Sequence, residues 1–260
     1  MERKSKIESN AEKWGSRYGL IDAHVHVGQF RETYFSPKAV TNFLLGLGVT
    51  RCVASATSAA IERHEDAARD IAELIDVSEM ETAPLLWVTQ ELLRRHSMLG
   101  NPLKANPYRG IKLHPYGNHW TDAGLRRVLR IADDLGLPVL AHTGGNDESD
   151  AGRWLRLLHG HRFPVVLAHG RPLDETLRVL NAHECAYTDT AFMPLPDVRK
   201  LMEAGCSSRV LFGSDTPIDR CYRSSSPGRR YRKRVEALAH AVSPYEESLF
   251  ARNCLTVFFK

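Results

Sequence analysis

Short apolar runs recur along the chain and alternate with longer stretches in which apolar residues follow a helical period. The runs are almost continuously hydrophobic, which is typical of strands that are buried on both faces in a parallel sheet. Eight such strands are predicted, at 19–26, 49–55, 84–89, 109–114, 138–143, 164–169, 185–190 and 209–215. Helices are predicted at 36–47, 61–77, 90–99, 122–135, 150–159, 172–182, 196–204, 230–241 and 244–250.

Eight strand–helix units along the whole length favour an α/β fold, a (β/α)8 TIM barrel in a single domain. An open doubly wound sheet is the alternative. We predict a polar N-terminal leader at 1–18 and one barrel domain at 19–260, because no linker-like or low-complexity segment divides the chain.

Composition narrows the function classes. The chain has 260 residues, 43% of them hydrophobic and 25% charged, and its formal net charge of +4 is too small to predict nucleic acid binding. Its five cysteines are scattered without a Cys-x-x-Cys pair, which argues against a disulfide framework or a thiolate zinc site. No signal peptide or membrane-spanning run is evident. We expect a cytoplasmic protein with a small-molecule substrate, no nucleic acid and no membrane partner, and a homo-oligomer is compatible with the sequence.

The first strand ends in Asp22-Ala-His24-Val-His26. Side chains alternate along a strand, so His24 and His26 project from one face and Val25 projects from the other. Two neighbouring imidazoles at a strand end form one edge of a candidate metal site, although short motifs of this kind also arise by chance.

Polar side chains also stand at the ends of the later strands. They are Lys112 and His114 on the fourth strand, His142 on the fifth, His169 on the sixth, Asp189 on the seventh and Asp215 on the eighth. In a barrel these ends meet at one mouth, where the active sites of this fold lie. Nitrogen and carboxylate ligands in this number suit Zn²⁺ or another divalent metal, which lowers the pKa of bound water toward about 7. Asp215 is placed to take up the proton of that water.

Taken together, the motifs resemble those of the amidohydrolase superfamily, and within it the amidohydrolase 2 group of metal-dependent TIM-barrel enzymes. They are Asp-x-His-x-His at 22–26, Gly-Ile-Lys-Leu-His-Pro at 110–115, Ala-His-Thr-Gly at 141–144, Ala-His-Gly at 168–170 and Gly-Ser-Asp-Thr-Pro at 213–217. The resemblance extends over nearly the whole chain.

The resemblance implies that His24, His26, His142 and Asp215 bind one divalent metal: Zn²⁺, or alternatively Mn²⁺ or Fe²⁺. His169 corresponds to the histidine that activates or orients the attacking water, or that binds a second metal. In a binuclear site a carboxylated Lys112 would bridge two ions, whereas in a mononuclear site Lys112 would pair with an anionic substrate.

Other polar residues have two interpretations each. His114 lines the substrate pocket or supports the turn at the following proline, and Arg220 belongs to a basic segment that recruits an anionic substrate or forms a solvated face. Asp22 fixes a histidine tautomer from behind or stabilises a turn. Asp189 forms part of the pocket wall or a hydrogen-bonded strand end.

We therefore expect a hydrolase that cleaves an ester, lactone or amide of a small substrate, neutral or anionic, with Asp215 and His169 as catalytic residues. The alternative is a metal-dependent decarboxylase of an aromatic or unsaturated acid. A TatD-like nuclease fits less well, because that branch has a carboxylate where this chain has Lys112. A non-catalytic binding protein is disfavoured by the full set of ligand types.

Overall fold

The computed structural model describes residues 19–95, 108–218 and 225–260, which form an α/β structure around one curled sheet. The strands are β1 (Leu20–Phe30), β2 (Thr33–Phe35), β3 (Val49–Ala56), β4 (Glu81–Trp87), β5 (Gly110–Leu113), β6 (Val139–His142), β7 (Val165–Ala168), β8 (Ala186–Asp189) and β9 (Val210–Leu211). Their order is β2-β1-β3-β4-β5-β6-β7-β8-β9, and every pair is parallel except the antiparallel β1–β2 hairpin. The predicted parallel sheet is confirmed.

Helices follow most of the strands, as the periodicity predicts. The α-helices of the described residues are α1 (Pro37–Leu45), α2 (His64–Val77), α3 (Gln90–Arg95), α4 (Asp122–Leu135), α5 (Trp154–Leu157), α6 (Leu173–Ala182), α7 (Leu195–Glu203), α8 (Pro227–Val242) and α9 (Asn253–Phe258). In the described ranges none of them is long and apolar enough to cross a membrane.

Local chemistry explains where these helices begin and end. The Thr121 side chain accepts a hydrogen bond from the Gly124 N–H and caps α4, while Gly136 ends that helix at φ 67°, a conformation that glycine adopts without strain. The predicted helix at 150–159 is shorter than expected, because a 3-10 turn at Ala151–Arg153 precedes α5.

Two apolar clusters lie on opposite faces of the sheet. The larger one contains Leu20, Val25 and Val27 of β1 together with residues of the surrounding helices. The smaller one contains Ile21 and Ala23 of β1 together with residues from alternate positions of the other strands and from the C-terminal segment. We call these the outer and the inner cluster.

A bulge in β1 determines which face the histidines take. Asp22 pairs with Cys52 and Val25 pairs with Ala54, so β1 has one more residue than β3 in this interval. Ile21 and Ala23 belong to the inner cluster, yet Val25 belongs to the outer one. An extra residue shifts the alternation of side chains. Without it, the two histidines of β1 would point outward into the helices.

The sheet differs from the prediction at its two ends. β1 continues to Phe30 and turns back into β2, a hairpin that the sequence did not indicate. Regular pairing of the last strand stops at Leu211, because the next residues form main-chain bonds to β1 instead. Ala23 N–H donates to the Phe212 carbonyl (2.8 Å), and His26 N–H donates to the Thr216 carbonyl (2.7 Å).

Candidate metal centre

Three predicted ligands meet where β1 and the segment after β9 lie side by side. Asp215 Oδ1 lies 3.0 Å from His26 Nε2 and 3.3 Å from His24 Nε2. All three side chains are buried, and one ligand atom of each lies within 4.8 Å of the others, a spacing that could hold a metal ion. Two imidazoles and a carboxylate are a donor set that suits a divalent transition metal.

Asp189 fixes the orientation of the His24 ring. Its Oδ2 lies 2.8 Å from His24 Nδ1, and its Oδ1 accepts the main-chain N–H groups of His169 and Ala191 at 2.9 Å each. The His24 ring therefore donates through Nδ1, which leaves its Nε2 lone pair free to bind a metal. A side chain at Gly213 would collide with both Asp189 and His24, so glycine permits this close approach.

Lys112 lies beside the same imidazole. Its Nζ is 3.0 Å from His24 Nε2 and 5.6 Å from the centre of the Trp87 ring. Burial lowers the pKa of Lys112 to about 8, although Asp215 and Asp189 oppose this shift. The ammonium group donates to the free His24 nitrogen, so Lys112 occupies the centre of the site rather than its edge.

His169 and His142 form a second pair of imidazoles next to this group. The His169 Nδ1 lies 3.2 Å from the Ala191 carbonyl, which only accepts, and His169 Nε2 lies 3.1 Å from His142 Nδ1. In a neutral His169 the proton is therefore on Nδ1, and Nε2 accepts from His142. This tautomer leaves the Nε2 lone pair of His142 available for a metal or a proton.

Burial determines the charge of these rings. It lowers the pKa of His24, His142 and His169 below the ordinary value, so all three are neutral near pH 7. Burial also raises the pKa of Asp215, but the neighbouring imidazoles of His24 and His26 outweigh that effect, and the carboxyl group is ionised. Neutral imidazole and ionised carboxylate are the forms that bind metals.

A stack of flat rings forms one wall of the site. His114 lies 3.9 Å from the His142 ring at an interplanar angle of 10°, and Trp87 stacks on its other side at 6.1 Å. The Gly117 N–H donates to His114 Nδ1 (3.0 Å), and burial lowers the pKa of His114 to about 4. His114 is therefore a neutral ring whose Nε2 carries a proton, a fixed hydrogen-bond donor.

The backbone is strained at two of the site residues. His169 has a φ of 71° and Asp215 a φ of 61°, both in the left-handed region that costs residues other than glycine about 1–3 kcal/mol. His169 directly follows β7, and Asp215 lies in the segment after β9. Such outliers cluster at functional sites, where the surrounding structure holds a side chain in one direction.

The structure thus brings most of the predicted site residues together. His24 also forms a second group with His169 and Asp189 whose ligand atoms lie within 4.8 Å of one another. His142 belongs to neither group, because it reaches them through His169, and its ligand role stays a prediction. Arg220, predicted to bind substrate, lies outside the described residues.

Sequence reasoning did not find all of the polar contacts. Ser55, at the end of β3, lies 3.0 Å from His26 Nδ1, and Asp189 rather than Asp22 contacts a site imidazole. Asp22 instead accepts the N–H groups of His24 and Ser214 and the Tyr231 hydroxyl (2.8 Å), the turn-stabilising role. The sequence signal that could have identified both contacts is the same as for the other site residues, because Ser55 and Asp189 are polar residues at the ends of apolar strands.

Comparison with solved structures identifies the architecture. A probable 2-pyrone-4,6-dicarboxylic acid hydrolase from Acinetobacter baumannii has a TM-score of 0.69 at 16% identity, covering 93% of this chain and 99% of that chain. 4-Oxalomesaconate hydratase from Rhodopseudomonas palustris has a TM-score of 0.65 at 14% identity, covering 92% and 95%. Enamidase, described as a member of the amidohydrolase superfamily, has a TM-score of 0.59 at 17% identity, covering 92% and 66%. The chain shares the fold of these enzymes.

At these identities the similarity establishes the fold and not the reaction. Comparison with protein-family models gives no match, and comparison with curated protein sequences gives none either. The shared fold agrees with the resemblance inferred from the motifs. Lys112, His142 and His169 lie at or directly after the ends of β5, β6 and β7, whereas His24 and His26 lie within β1 and Asp215 lies in the segment after β9.

Replacing Asp189 with asparagine should weaken metal binding by about 10–100-fold, the usual effect of losing a partner of a metal-binding histidine. Asparagine keeps an oxygen for the two main-chain N–H groups but loses the acceptor for His24 Nδ1. Competition with a chromophoric chelator measures the affinity. Asp134→Asn, an exposed residue of α4, is the matched control. Equal affinities in both variants would show that Asp189 does not orient His24.

Proposed function

We propose that this chain is a metal-dependent hydrolase of the amidohydrolase type, which cleaves an ester, lactone or amide bond in a small carboxylic acid. The observation that carries the proposal is the convergence of the buried His24, His26 and Asp215 side chains where β1 meets the segment after β9. Two imidazoles and an ionised carboxylate, buried together and held by further hydrogen bonds, have no evident use in folding alone.

The residues fit a divalent cation. His24, His26 and Asp215 would hold it, with His142 as a further ligand through its free Nε2, and Zn²⁺ suits this donor set best, ahead of Mn²⁺ and Fe²⁺. When bound, such an ion polarises a carbonyl oxygen and lowers the pKa of water toward about 7. Asp189 and Ser55 hold the two β1 imidazoles in place from behind.

The chain's own groups divide the remaining work. Asp215 is ionised, and its left-handed backbone conformation directs its carboxylate into the site. It therefore accepts a proton from the attacking water and returns it to the leaving group. His169 is held by the Ala191 carbonyl and accepts from His142 through Nε2, so it assists by orienting the His142 ring. His114, with its fixed Nε2 proton, donates a hydrogen bond to a substrate oxygen.

Electrostatics and the similar structures both favour an acidic substrate. Lys112 places a positive charge at the centre of the site, and a divalent ion would add to it. The first of the structures compared above is described as a dicarboxylic acid hydrolase with citric acid bound. A decarboxylase remains the alternative reaction on the same groups, and no contact among the described residues of the site favours it over hydrolysis.

We further propose that the sheet closes into an eight-stranded barrel. Three main-chain bonds support closure between β1 and the segment after β9: those from Ala23 and His26 given above, and one from the Asp215 N–H to the His24 carbonyl (2.9 Å). Val25 and Thr216 also form a parallel bridge. Closure of this kind brings the first and last strand ends to one mouth.

A screen of lactones, esters, amides and aromatic acids tests the reaction. Protein stripped with a chelator is expected to be inactive and to recover its activity when Zn²⁺ or Mn²⁺ is restored. Hydrolysis is followed by proton release and decarboxylation by CO₂ release, so the two reactions are separated directly. A metal-free protein that turns over a substrate at the same rate would contradict the proposal.

We expect one metal ion for each chain, with Lys112 as a free amine. Replacing Lys112 with methionine should leave the metal content unchanged in elemental analysis and lower kcat/KM for an acidic substrate by about 10–100-fold, the loss of one buried charge-assisted hydrogen bond. A wild-type protein with two ions, reduced to one or none in the variant, would instead indicate a carboxylated, bridging lysine.

A further inference from the structure

Arg171 is a cation next to the site that forms no ion pair with a carboxylate among the described residues. It follows His169 by two positions, after β7, and its Nε is buried without a hydrogen bond. Several other arginines pair with carboxylates, such as Arg153 with Asp122 (2.6 Å) and Arg252 with Glu247 (3.0 Å). No described carboxylate pairs with Arg171 in this way, so its guanidinium group remains available to an anion.

Glycine makes room for this side chain. Gly144, after β6, has a φ of 88°, and a Cβ atom there would lie 2.7 Å from the Arg171 Cβ and 3.3 Å from its Nε. The Thr143 hydroxyl accepts the Arg171 N–H (3.1 Å) and fixes the backbone. Arg171 is therefore packed against the β6 loop, and only the outer part of its guanidinium group is left to bind.

Phe192 forms the other side of this position. Its ring centre lies 5.7 Å from the Arg171 guanidinium carbon and 5.6 Å from the centre of the His169 ring. The ring is 45% exposed and its backbone φ is 56°, a strained conformation for an aromatic residue. The guanidinium group of Arg171 lies over this exposed ring, which favours it by a cation–π contact. The free face of the guanidinium group can in turn stack on a planar ligand.

This position lies one side chain away from the candidate metal centre. The His169 ring is 5.1 Å from the His24 ring and contacts Phe192 on the other side. A substrate with its reacting carbonyl group near His24 and Asp215 would therefore extend past His169 toward Arg171. The spacing suits a carboxylate group a few bonds from the scissile bond.

The charges in the site also favour an anionic substrate group near Arg171. The carboxylates of Asp189 and Asp215 are balanced by Lys112 and Arg171, so a divalent ion would leave a net charge of about +2. A substrate anion would neutralise this excess, and the guanidinium fork matches the two oxygens of a carboxylate.

We propose that Arg171, held between Gly144 and Phe192, is the group that binds a carboxylate of the substrate and selects acids over their neutral analogues. This inference rests on the proposed function for the position of the scissile bond, but carboxylate binding by Arg171 does not require turnover. It can therefore be tested separately, on metal-loaded and on metal-free protein.

Binding of isophthalate, a planar dicarboxylate, is compared with binding of its neutral diamide by titration calorimetry. Arg171→Met is expected to weaken isophthalate binding by about 10–100-fold and to leave diamide binding unchanged, because a charge-assisted, bidentate hydrogen bond is lost. The effect should persist in metal-free protein, since Arg171 is not a ligand. Arg126→Met, an exposed residue of α4, removes the same charge elsewhere and should change nothing.

Arg171→Lys is the second variant, for the case that the methionine variant does not fold. It keeps the charge and loses the planar fork, so an intermediate loss of isophthalate binding is expected. Isophthalate binding that is equal in the wild type and both folded variants would overturn the inference, even if metal-dependent hydrolysis is found. Loss of binding without any hydrolase activity would support Arg171 and contradict the proposed function instead.

Discussion

Replacing His24 with alanine is expected to remove the metal from the purified protein. His24 is the one residue shared by both candidate groups, and it contacts Asp189, Lys112 and Asp215. Loss of a direct ligand should exceed the 10–100-fold effect of losing a supporting residue, so we expect an affinity at least about 100-fold weaker. Elemental analysis after gel filtration measures the metal content, and activity should fall with it.

His240→Ala is the matched control for this experiment. His240 is exposed near the end of α8, away from the sheet, so its loss removes one imidazole without touching the site. Thermal unfolding of both variants separates loss of metal from loss of fold. If His24→Ala keeps the metal content of the wild type, the ligand assignment at β1 is wrong.

Replacing Asp215 with asparagine should have the largest effect on turnover. Asparagine keeps the shape of the side chain and one oxygen, but it cannot accept a proton and it removes the negative charge beside His24 and His26. We expect kcat to fall by about 10³-fold or more, within the range for loss of a general base with an added loss of charge. Steady-state kinetics at saturating metal measures the change.

Two observations would distinguish a catalytic from a structural role for Asp215. Asp134→Asn, the exposed control on α4, should keep full activity. Metal content measured on the same Asp215→Asn sample shows whether binding survives. A variant that keeps both its metal and its kcat would show that proton transfer belongs to another group, of which His169 is the first candidate.

The apolar pattern predicted the strands well because burial determines it. Each strand between helices needs a nearly continuous hydrophobic run, and the polar residue that ends the run marks the carboxyl end. That signal located His142, His169 and Asp189 on the correct strands before any coordinates were considered. It could not find the β1–β2 hairpin, because β2 is only three residues long and two of them are exposed.

The contacts around the metal centre depend on the tertiary structure. With strict alternation along β1, His24 and His26 would lie on the face of the sheet opposite the inner cluster. The bulge after Asp22 places them on the same face as that cluster. The partner of His24 is Asp189, which is 165 residues away in the chain. No local pattern predicts such a pair, because it is determined by how the curled sheet juxtaposes β1 and β8.

The sequence by itself therefore determined the kind of fold and the chemical types at the strand ends, since both follow from local hydrophobicity. Only the tertiary structure decided which nitrogen of each imidazole is free and which carboxylate supports it. The tertiary structure also decided that Arg171 lies over the Phe192 ring and that its buried Nε has no hydrogen bond among the described residues. The physical reason is that hydrogen-bond partners and charge neighbours are set by distances across the sheet, which local sequence does not specify.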